Sequence, residues 1–316
     1  MPIEELSLTI PAEMQGKRLD QALAELCPQH SRSRLQGWIK SGYITVNAMT
    51  PRQRDVVQGG ETINIHAEIE NPDRTWARED IPLEIIHTDQ DIIVLNKPPG
   101  LVVHPGAGNP EHTLLNALLY HTPELERIPR AGIVQRLDKD TSGLMIIART
   151  LTAHTWLVDQ IQNRQVTRQY QSIVSGVMTA GGTVEAPIGR HPIKRKRMAV
   201  VDNGKPARTH YRVIKRFQAH TFIQLNLESG RTHQIRVHMA HIRHPVTGDP
   251  VYGGRQRFPK SAGAPLLEAL QKFPRQALHA CRLELKHPAS GETVSWEAPL
   301  PDDMTSLLTL LETNGN

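Results

Sequence analysis

The chain has 316 residues, 38% hydrophobic and 22% charged, with 37 Lys+Arg against 32 Asp+Glu for a net charge of +5; at roughly 100–200 residues per domain this predicts about two folded domains and excludes a disordered tail. Two cysteines, Cys27 and Cys281, far apart in the chain, exclude a disulfide framework and a four-cysteine zinc site, and fit a reducing compartment. No apolar run approaches the ~20 residues of a bilayer span, and the acidic start Met1-Pro2-Ile3-Glu4-Glu5 lacks the pattern of a signal peptide, so a cytoplasmic protein is expected.

Residues 6–10 predict a short strand. Over 18–26, Leu19, Ala22, Leu23 and Leu26 fall at helical spacing. Ser31 or Ser33 is expected to cap a second helix, 34–41, with Leu35, Trp38 and Ile39 on one face and Gly42 as its stop. Strands over 43–46 and 62–65 flank a polar loop with Gly59-Gly60. This unit, 17–66, carries seven Lys/Arg against four acids. The acidic stretch 67–80 is expected to link it to a second domain, 81–316. There 91–96 predicts a buried strand stopped by Lys97-Pro98-Pro99-Gly100, with further strands over 144–148, 170–174 and 222–227. Helices are expected over 114–120, 153–162 (with Trp156, Leu157 and Ile161 inward), 266–272 and 304–311. No internal repeat recurs. The irregular alternation argues for an α+β fold with a mixed, mostly antiparallel sheet, not a doubly wound one, behind a small N-terminal α/β module.

Charge is unevenly spread. From Arg190 to Arg216 there are ten Lys/Arg and one acid, Asp202; from Ala67 to Asp91 there are eight acids and two arginines. Such asymmetry is the footprint of a protein that lays one face on phosphates. Aromatics make up only 4%, too few for a broad base-stacking platform. No phosphate-binding Gly-x-x-x-x-Gly-Lys loop is present, and Gly106-Ala107-Gly108 lacks the third glycine of a dinucleotide fingerprint. Asp140 stands where a nucleophile elbow needs glycine before Thr141-Ser142-Gly143. His233, His238, His241 and His244 lack a cysteine or carboxylate to complete a tetrahedral set, so no metal site is expected.

The segment with the most chemistry is Gly132-Ile133-Val134-Gln135-Arg136-Leu137-Asp138-Lys139-Asp140-Thr141-Ser142-Gly143-Leu144, where two acids and two cations crowd a turn ahead of an apolar strand. A carboxylate beside Arg and Lys stays ionised, which suits a nucleophile or base; as composition alone, the same pattern also fits a capped turn with surface salt bridges. A second segment runs Leu227-Glu228-Ser229-Gly230-Arg231-Thr232-His233-Gln234-Ile235-Arg236-Val237-His238, followed by Gly248-Asp249-Pro250-Val251-Tyr252-Gly253.

These segments, with Thr167-Arg168-Gln169-Tyr170, Asn96-Lys97-Pro98 and Val103-His104-Pro105-Gly106, resemble the pseudouridine synthases typified by the ribosomal large-subunit types A, C and D. The stretch from Arg190-His191-Pro192 to Met198-Ala199-Val200, and Ala277-Leu278-His279-Ala280, are similar to the D type. Residues 17–66, through Arg18-Leu19-Asp20, Ser31-Arg32-Ser33-Arg34 and Gly42 to Asn47, resemble the small RNA-binding domain first described in ribosomal protein S-four.

The resemblance implies an isomerase that flips a uridine out of its RNA and rebuilds its glycosidic bond. It implies Asp138 as nucleophile or base, Tyr170 against the flipped base, Arg236 paired with Asp138, and Ile235 lining the pocket. Arg136 would fill the gap left by the base. Arg32, Arg34, Lys194, Arg195, Lys196, Arg197, Arg231 and His233 would contact RNA. No cofactor and no metal are implied. The implied partner is large-subunit ribosomal RNA, at a stem-loop of the subunit interface, or the pre-ribosomal large-subunit particle; a monomer with no membrane partner is expected. One departure stands out: Gln135 occupies the place where the family usually has histidine, leaving a group that hydrogen-bonds but carries no proton. A binding factor without activity, or the same chemistry on another RNA, are the alternatives.

Overall fold

The structure, a computed structural model, describes residues 3–27, 32–68, 76–106, 108–255, 257–259 and 262–314. It divides into two units, Met1–Thr75 and Trp76–Asn316.

In the first unit β1 (Ile3–Thr9), α1 (Leu19–Leu26), α2 (Arg32–Lys40), β2 (Ile44–Val46) and β3 (Thr62–Glu68) follow in order. The strands form an antiparallel sheet ordered β1-β3-β2. The helical spacing read from sequence puts Leu19, Leu23, Leu35 and Ile39 into one core with Ile44, Ile63 and Ile65. Gly42 takes φ +79°, the left-handed stop that ends α2. That helix begins at Arg32, so Ser33 falls inside it rather than capping it; Ser31 lies outside the described residues. Asp20 is fully buried beneath this start, accepting from Arg18, Arg32 and Gln36. Arg32 is thus tied down on one side while its side chain stays 45% exposed. The Arg34 side chain lies outside the described residues.

The boundary differs from the expected linker. Strand β3 runs on to Glu68, and Trp76–Asp80 belong to the second unit. Trp76 packs against the second unit's core, and Asn116 Nδ2 donates to the Ala77 carbonyl. The expected linker reaches Asp80, whereas Trp76 and Ala77 hold partners in the second unit that composition does not show.

The second unit contains β4 (Glu84–Thr88), β5 (Ile92–Lys97), α3 (Leu114–His121), β6 (Ser142–Ala148), α4 (Leu151–Gln162), β7 (Thr167–Ser175), β8 (Gly182–Glu185), β9 (Ile188–Arg190), β10 (Met198–Val200), β11 (Arg208–Arg216), β12 (His220–Leu227), α5 (Gln234–His241), α6 (Ala264–Lys272), β13 (Leu278–Lys286), β14 (Thr293–Glu297) and α7 (Asp302–Asn314). The main sheet is ordered β4-β5-β6-β13-β7-β12-β11-β8, with β14 also on β13; β9 and β10 form a separate hairpin. Among the described residues the only parallel pairing in it is β6 with β13. The fold is the mixed, mostly antiparallel α+β architecture.

The two central apolar strands are covered on both faces, which is why they read as continuous apolar runs. Ile93, Leu95, Met145 and Ile147 face one cluster with α3, α6 and α7. Ile92, Val94, Leu144 and Ile146 alternate into another with Ala153 and Leu157 of α4. Trp156 departs from the expected inward position. It is 37% exposed, flanking the buried stripe, and its indole donates to the Lys286 carbonyl at the end of β13. No helix among the described residues is long and apolar enough to cross a membrane.

A row of registered residues sets the geometry that matters. Gly143 of β6 pairs with Ala280 of β13, Ala280 with Tyr170 of β7, and Tyr170 with Leu225 of β12. The loop that enters β6 is therefore placed two strands from Tyr170. Gly143 sits at φ +119°, and a Cβ there would lie 2.3 Å from the Ala280 carbonyl oxygen. Gly143→Ala is expected to lower unfolding stability by about 3 kcal/mol in urea titration, because backbone must move on both strands; an unchanged midpoint would show that this close approach is not a constraint.

Candidate active site

Asp138 lies in the loop between Gly132 and β6. That loop is gripped through its backbone. Lys97, fully buried at the end of β5, donates from Nζ to the carbonyls of Pro98 (2.7 Å), Leu101 (3.0 Å) and Lys139 (2.9 Å). Burial pushes Lys97 down to about 7, against which Asp140 and Asp138 pull it up. Three acceptors match the three donors that only the ammonium has. The Gly100 amide donates to the same Lys139 carbonyl at 3.0 Å. Arg275, also buried, forks onto Asp303 at 2.7 and 2.8 Å and reaches the Asp140 carbonyl at 3.2 Å. Thr141 receives a bond from Gln276, and the Ser142 hydroxyl lies 3.0 Å from His279 Nδ1. With its peptide groups so occupied, the loop leaves its side chains to the cleft.

Helix α5 brings Arg236 to that loop. Nη1 donates to Asp138 Oδ2 at 2.9 Å, while Nε and Nη2 fork onto Asp249 at 2.7 and 2.9 Å. The side-chain exposures are 6% for Arg236, 16% for Asp138 and 0% for Asp249. Burial alone would lower Arg236, but the bonds and charges of Asp249 and Asp138 raise it above the ordinary arginine value. Burial would likewise raise Asp249, yet Arg236 and the amides of Tyr252 and Val251 hold it below the usual carboxylate range. The Tyr252 ring stacks over the guanidinium, with 5.1 Å from its centre to Cζ. His233 Nε2 stands 3.9 Å from the other Asp138 oxygen, Oδ1.

A cleft of about 1120 Å³ opens over this cluster, lined by Asp138, Arg136, Arg164, Arg168, Tyr170, Arg231, His233, Ile235 and Arg236 among others. It is larger than most small-molecule pockets and suits a polymer segment with one unit inserted. Tyr170 and Arg168 both point into the unit's interior side of β7, two residues apart, as strand alternation requires. Burial pushes the Tyr170 phenol up, so it remains a neutral hydroxyl. Ile235 is buried in the wall, and Arg136 is exposed at the cleft. Arg231 is exposed too, with Nε on the Pro206 carbonyl.

The structure does not bring every expected RNA contact into the cleft. Arg190 ends β9, and Lys194, Arg195, Lys196 and Arg197 lie on the connection to β10, all outside the lining; all but Arg197, which is half-buried, are exposed. Arg32 and Arg34 are in the other unit. Of the four histidines considered as ligands, His238 is buried between the Thr209 hydroxyl (2.9 Å) and the Ala186 carbonyl (3.0 Å), a packing role.

Three residues at the site stand in the motif segments without a role assigned to them from the sequence. Asp249 and Tyr252 follow the second motif, but nothing local pairs them with a residue thirteen or more positions upstream. Arg168 is buried at 8%, with no partner for its Nε among the described residues; its spacing of two from Tyr170 on a strand is the available signal.

Comparisons with known proteins show what the chain is similar to. A family model described as RNA pseudouridylate synthase matches residues 91–241. The ribosomal large subunit pseudouridine synthase D of Pseudomonas aeruginosa is 58% identical over 302 residues, covering 96% of this chain and 94% of that protein. The protein of that name from Escherichia coli K12 is 54% identical, covering 97% and 94%. The one from Haemophilus influenzae is 55% identical, covering 99% and 96%. Among solved structures, human RNA pseudouridylate synthase domain containing 4 superposes with a TM-score of 0.57 at 27% identity, covering 72% of this chain and 93% of that one. Human domain containing 1 shares the fold, with a TM-score of 0.55 at 23% identity over 75% and 98%.

The Asp249 carboxyl sets a pH dependence. Its folded pKa is depressed, so its stabilisation is present above the unfolded value of about 3.9 and is lost as pH falls through the folded value. Asp249→Asn is expected to lose about 3 kcal/mol at pH 7 and to show a flatter decline below pH ~4 in urea unfolding. Parallel acid profiles for the two proteins would contradict the assignment.

Proposed function

The chain belongs to the RNA pseudouridylate synthase family, and on that premise we propose that it converts uridines of large-subunit ribosomal RNA into pseudouridine with Asp138 as the reacting carboxylate. The reaction is an isomerisation. The N1–C1′ bond breaks, the base turns, C5 joins C1′, C5 gives up its hydrogen and N1 gains one. No electron is gained or lost, so the chemistry asks for a charged group at C1′, a shaped pocket and a route for one proton.

The observation that carries this reading is the asymmetry of Asp138. One oxygen is bound by the buried Arg236, the other accepts no hydrogen bond from Arg236, and the residue lines the cleft. A carboxylate so held stays charged and oriented, as nucleophile at C1′ or as the base that generates a glycal-like intermediate. Tyr170, buried beside it, packs on the uracil and supplies a hydroxyl near the rearranged ring. Ile235 closes the wall. Arg136 enters the stack that the base vacates, where a planar guanidinium can substitute for it. Extrusion costs a few kcal/mol, which the cations of the cleft offset through phosphate contacts. Arg231 and His233, which line the cleft, contact the RNA in this reading. The Lys194–Arg197 cations add to this, and the first unit, with Arg32 and Arg34 on α2, adds sequence-independent affinity.

The target is read as the loop of a stem-loop at the subunit interface, in free RNA or the precursor particle. The enzyme acts as a monomer in the cytoplasm, where ribosomes are built.

Asp138→Ala is expected to abolish pseudouridine formation on large-subunit RNA while leaving RNA affinity within about threefold, since only reacting groups are removed. Equal product from variant and wild type, measured by pseudouridine mapping, would overturn the assignment. Removing residues 1–75 is expected to flatten the dependence of log Kd on log salt, by about one unit for each phosphate no longer neutralised; an unchanged slope would deny the first unit an RNA role.

A further inference from the structure

The second Asp138 oxygen has a neighbour whose placement is costly. His233 immediately precedes α5 at φ +57°, in the left-handed region that a non-glycine residue enters only when its surroundings compel it. Its Nε2 stands 3.9 Å from Asp138 Oδ1, about 1 Å beyond hydrogen-bonding distance. Its Nδ1 lies 2.8 Å from the Tyr252 hydroxyl, and the two rings meet edge to face. The Tyr252 oxygen also accepts from the Met198 amide at 2.9 Å. With that amide on one lone pair of the Tyr252 oxygen, donation of the hydroxyl proton to His233 Nδ1 is the arrangement that leaves Nε2 protonated and facing Asp138.

Met198 opens β10, at the base of the hairpin that carries Arg190, Lys194, Arg195, Lys196 and Arg197. At the tip Ile193 is 85% exposed, an apolar side chain surrounded by cations. A chain of hydrogen bonds therefore runs from the first residue of β10 through Tyr252 and His233 and stops about 1 Å short of the catalytic loop. The matched family residues, 91–241, end before Tyr252.

We propose that His233 is a positioning residue for Asp138, set in its donor tautomer by Tyr252 and coupled through the Met198 amide to the basic hairpin, so that RNA seated on the hairpin draws the imidazole onto the carboxylate. The inference rests on the pseudouridine synthase reading and adds to it a link between substrate capture and the reacting group. A donor on Oδ1 completes the clamp begun by Arg236 on Oδ2, and fixes the carboxylate plane only when RNA is in place. An unseated hairpin then leaves Asp138 held by Arg236 on Oδ2 alone, and the second oxygen is fixed only in a cleft that holds substrate.

The test separates capture from turnover. Tyr252→Phe keeps the ring over Arg236 and deletes the hydroxyl. With a ribosomal stem-loop as substrate, its kcat is expected to fall about tenfold, the size of one charge-assisted hydrogen bond, with KM changed less than about twofold. His233→Gln, whose amide N–H can stand in for Nε2–H, is expected to keep several-fold more kcat than His233→Leu. Neutralising Lys194 and Lys196 to alanine in the wild-type background should lower kcat and raise KM; in the Tyr252→Phe background it should raise KM alone. Wild-type kcat in Tyr252→Phe, equal turnover of the Gln and Leu variants, or kcat losses that simply multiply would overturn the coupling. Should Tyr252→Phe melt early, the two His233 variants decide. A wild-type protein that forms no pseudouridine would overturn the enzyme reading instead, a distinguishable result.

Discussion

One buried guanidinium holds two separated parts of the chain to a common geometry. Arg236 commits its fork to Asp249 and its remaining arm to Asp138. Three charges taken out of water would be costly if any lacked a partner. Here the fork is planar and doubly bonded, Asp249 also accepts the Val251 and Tyr252 amides, and the aromatic ring covers the exposed face. The buried pair of Arg236 and Asp249 therefore acts as a rigid anchor, and Asp138 is the partner offered to it from another loop. The most exposed member of the three is the one proposed to react.

The rest of the second unit can be understood as bringing Asp138 to that anchor. The parallel contact of β6 and β13 is only two residue pairs long, and it sits where the loop emerges. Gly143 allows the strands to meet there. Below the loop, Lys97 and Arg275 bind backbone carbonyls rather than its side chains. This division of labour is physically sensible: backbone grips fix position without consuming the groups that do chemistry. The same logic places Tyr170 and Arg168 on one side of a central strand, where sheet pairing on both edges leaves little freedom to drift.

Much of this is readable in the residues, for identifiable reasons. The strands around Val94 and Ile146 announce themselves because burial on both faces removes polar residues altogether. Asp138 stands out as a charged turn ahead of an apolar strand, a pattern that by itself also fits a surface turn; its pairing with Arg236 is implied only by the family resemblance. The strands β8 and β11 are not, since Arg208–Arg216 is an exposed, charge-rich strand near the sheet edge and lacks clean alternation. Lys97 stands in a recognisable motif, but its burial is invisible there, because a lysine after an apolar strand ordinarily faces water. Asp249 and Tyr252 are hidden for a related reason: their roles exist only across space. Trp156 misleads because large aromatic residues at helical spacing usually face a core, whereas here the ring caps a neighbouring strand end.

The most direct measurement is a structure of the protein bound to its ribosomal RNA stem-loop. The account predicts one uridine extruded into the cleft, its base against Tyr170, its C1′ within about 3.5 Å of Asp138 Oδ1, and Arg236 still bound to Oδ2. A uridine left stacked in the RNA, or an Asp138 carboxylate turned away from C1′ with both oxygens on Arg236, would contradict it.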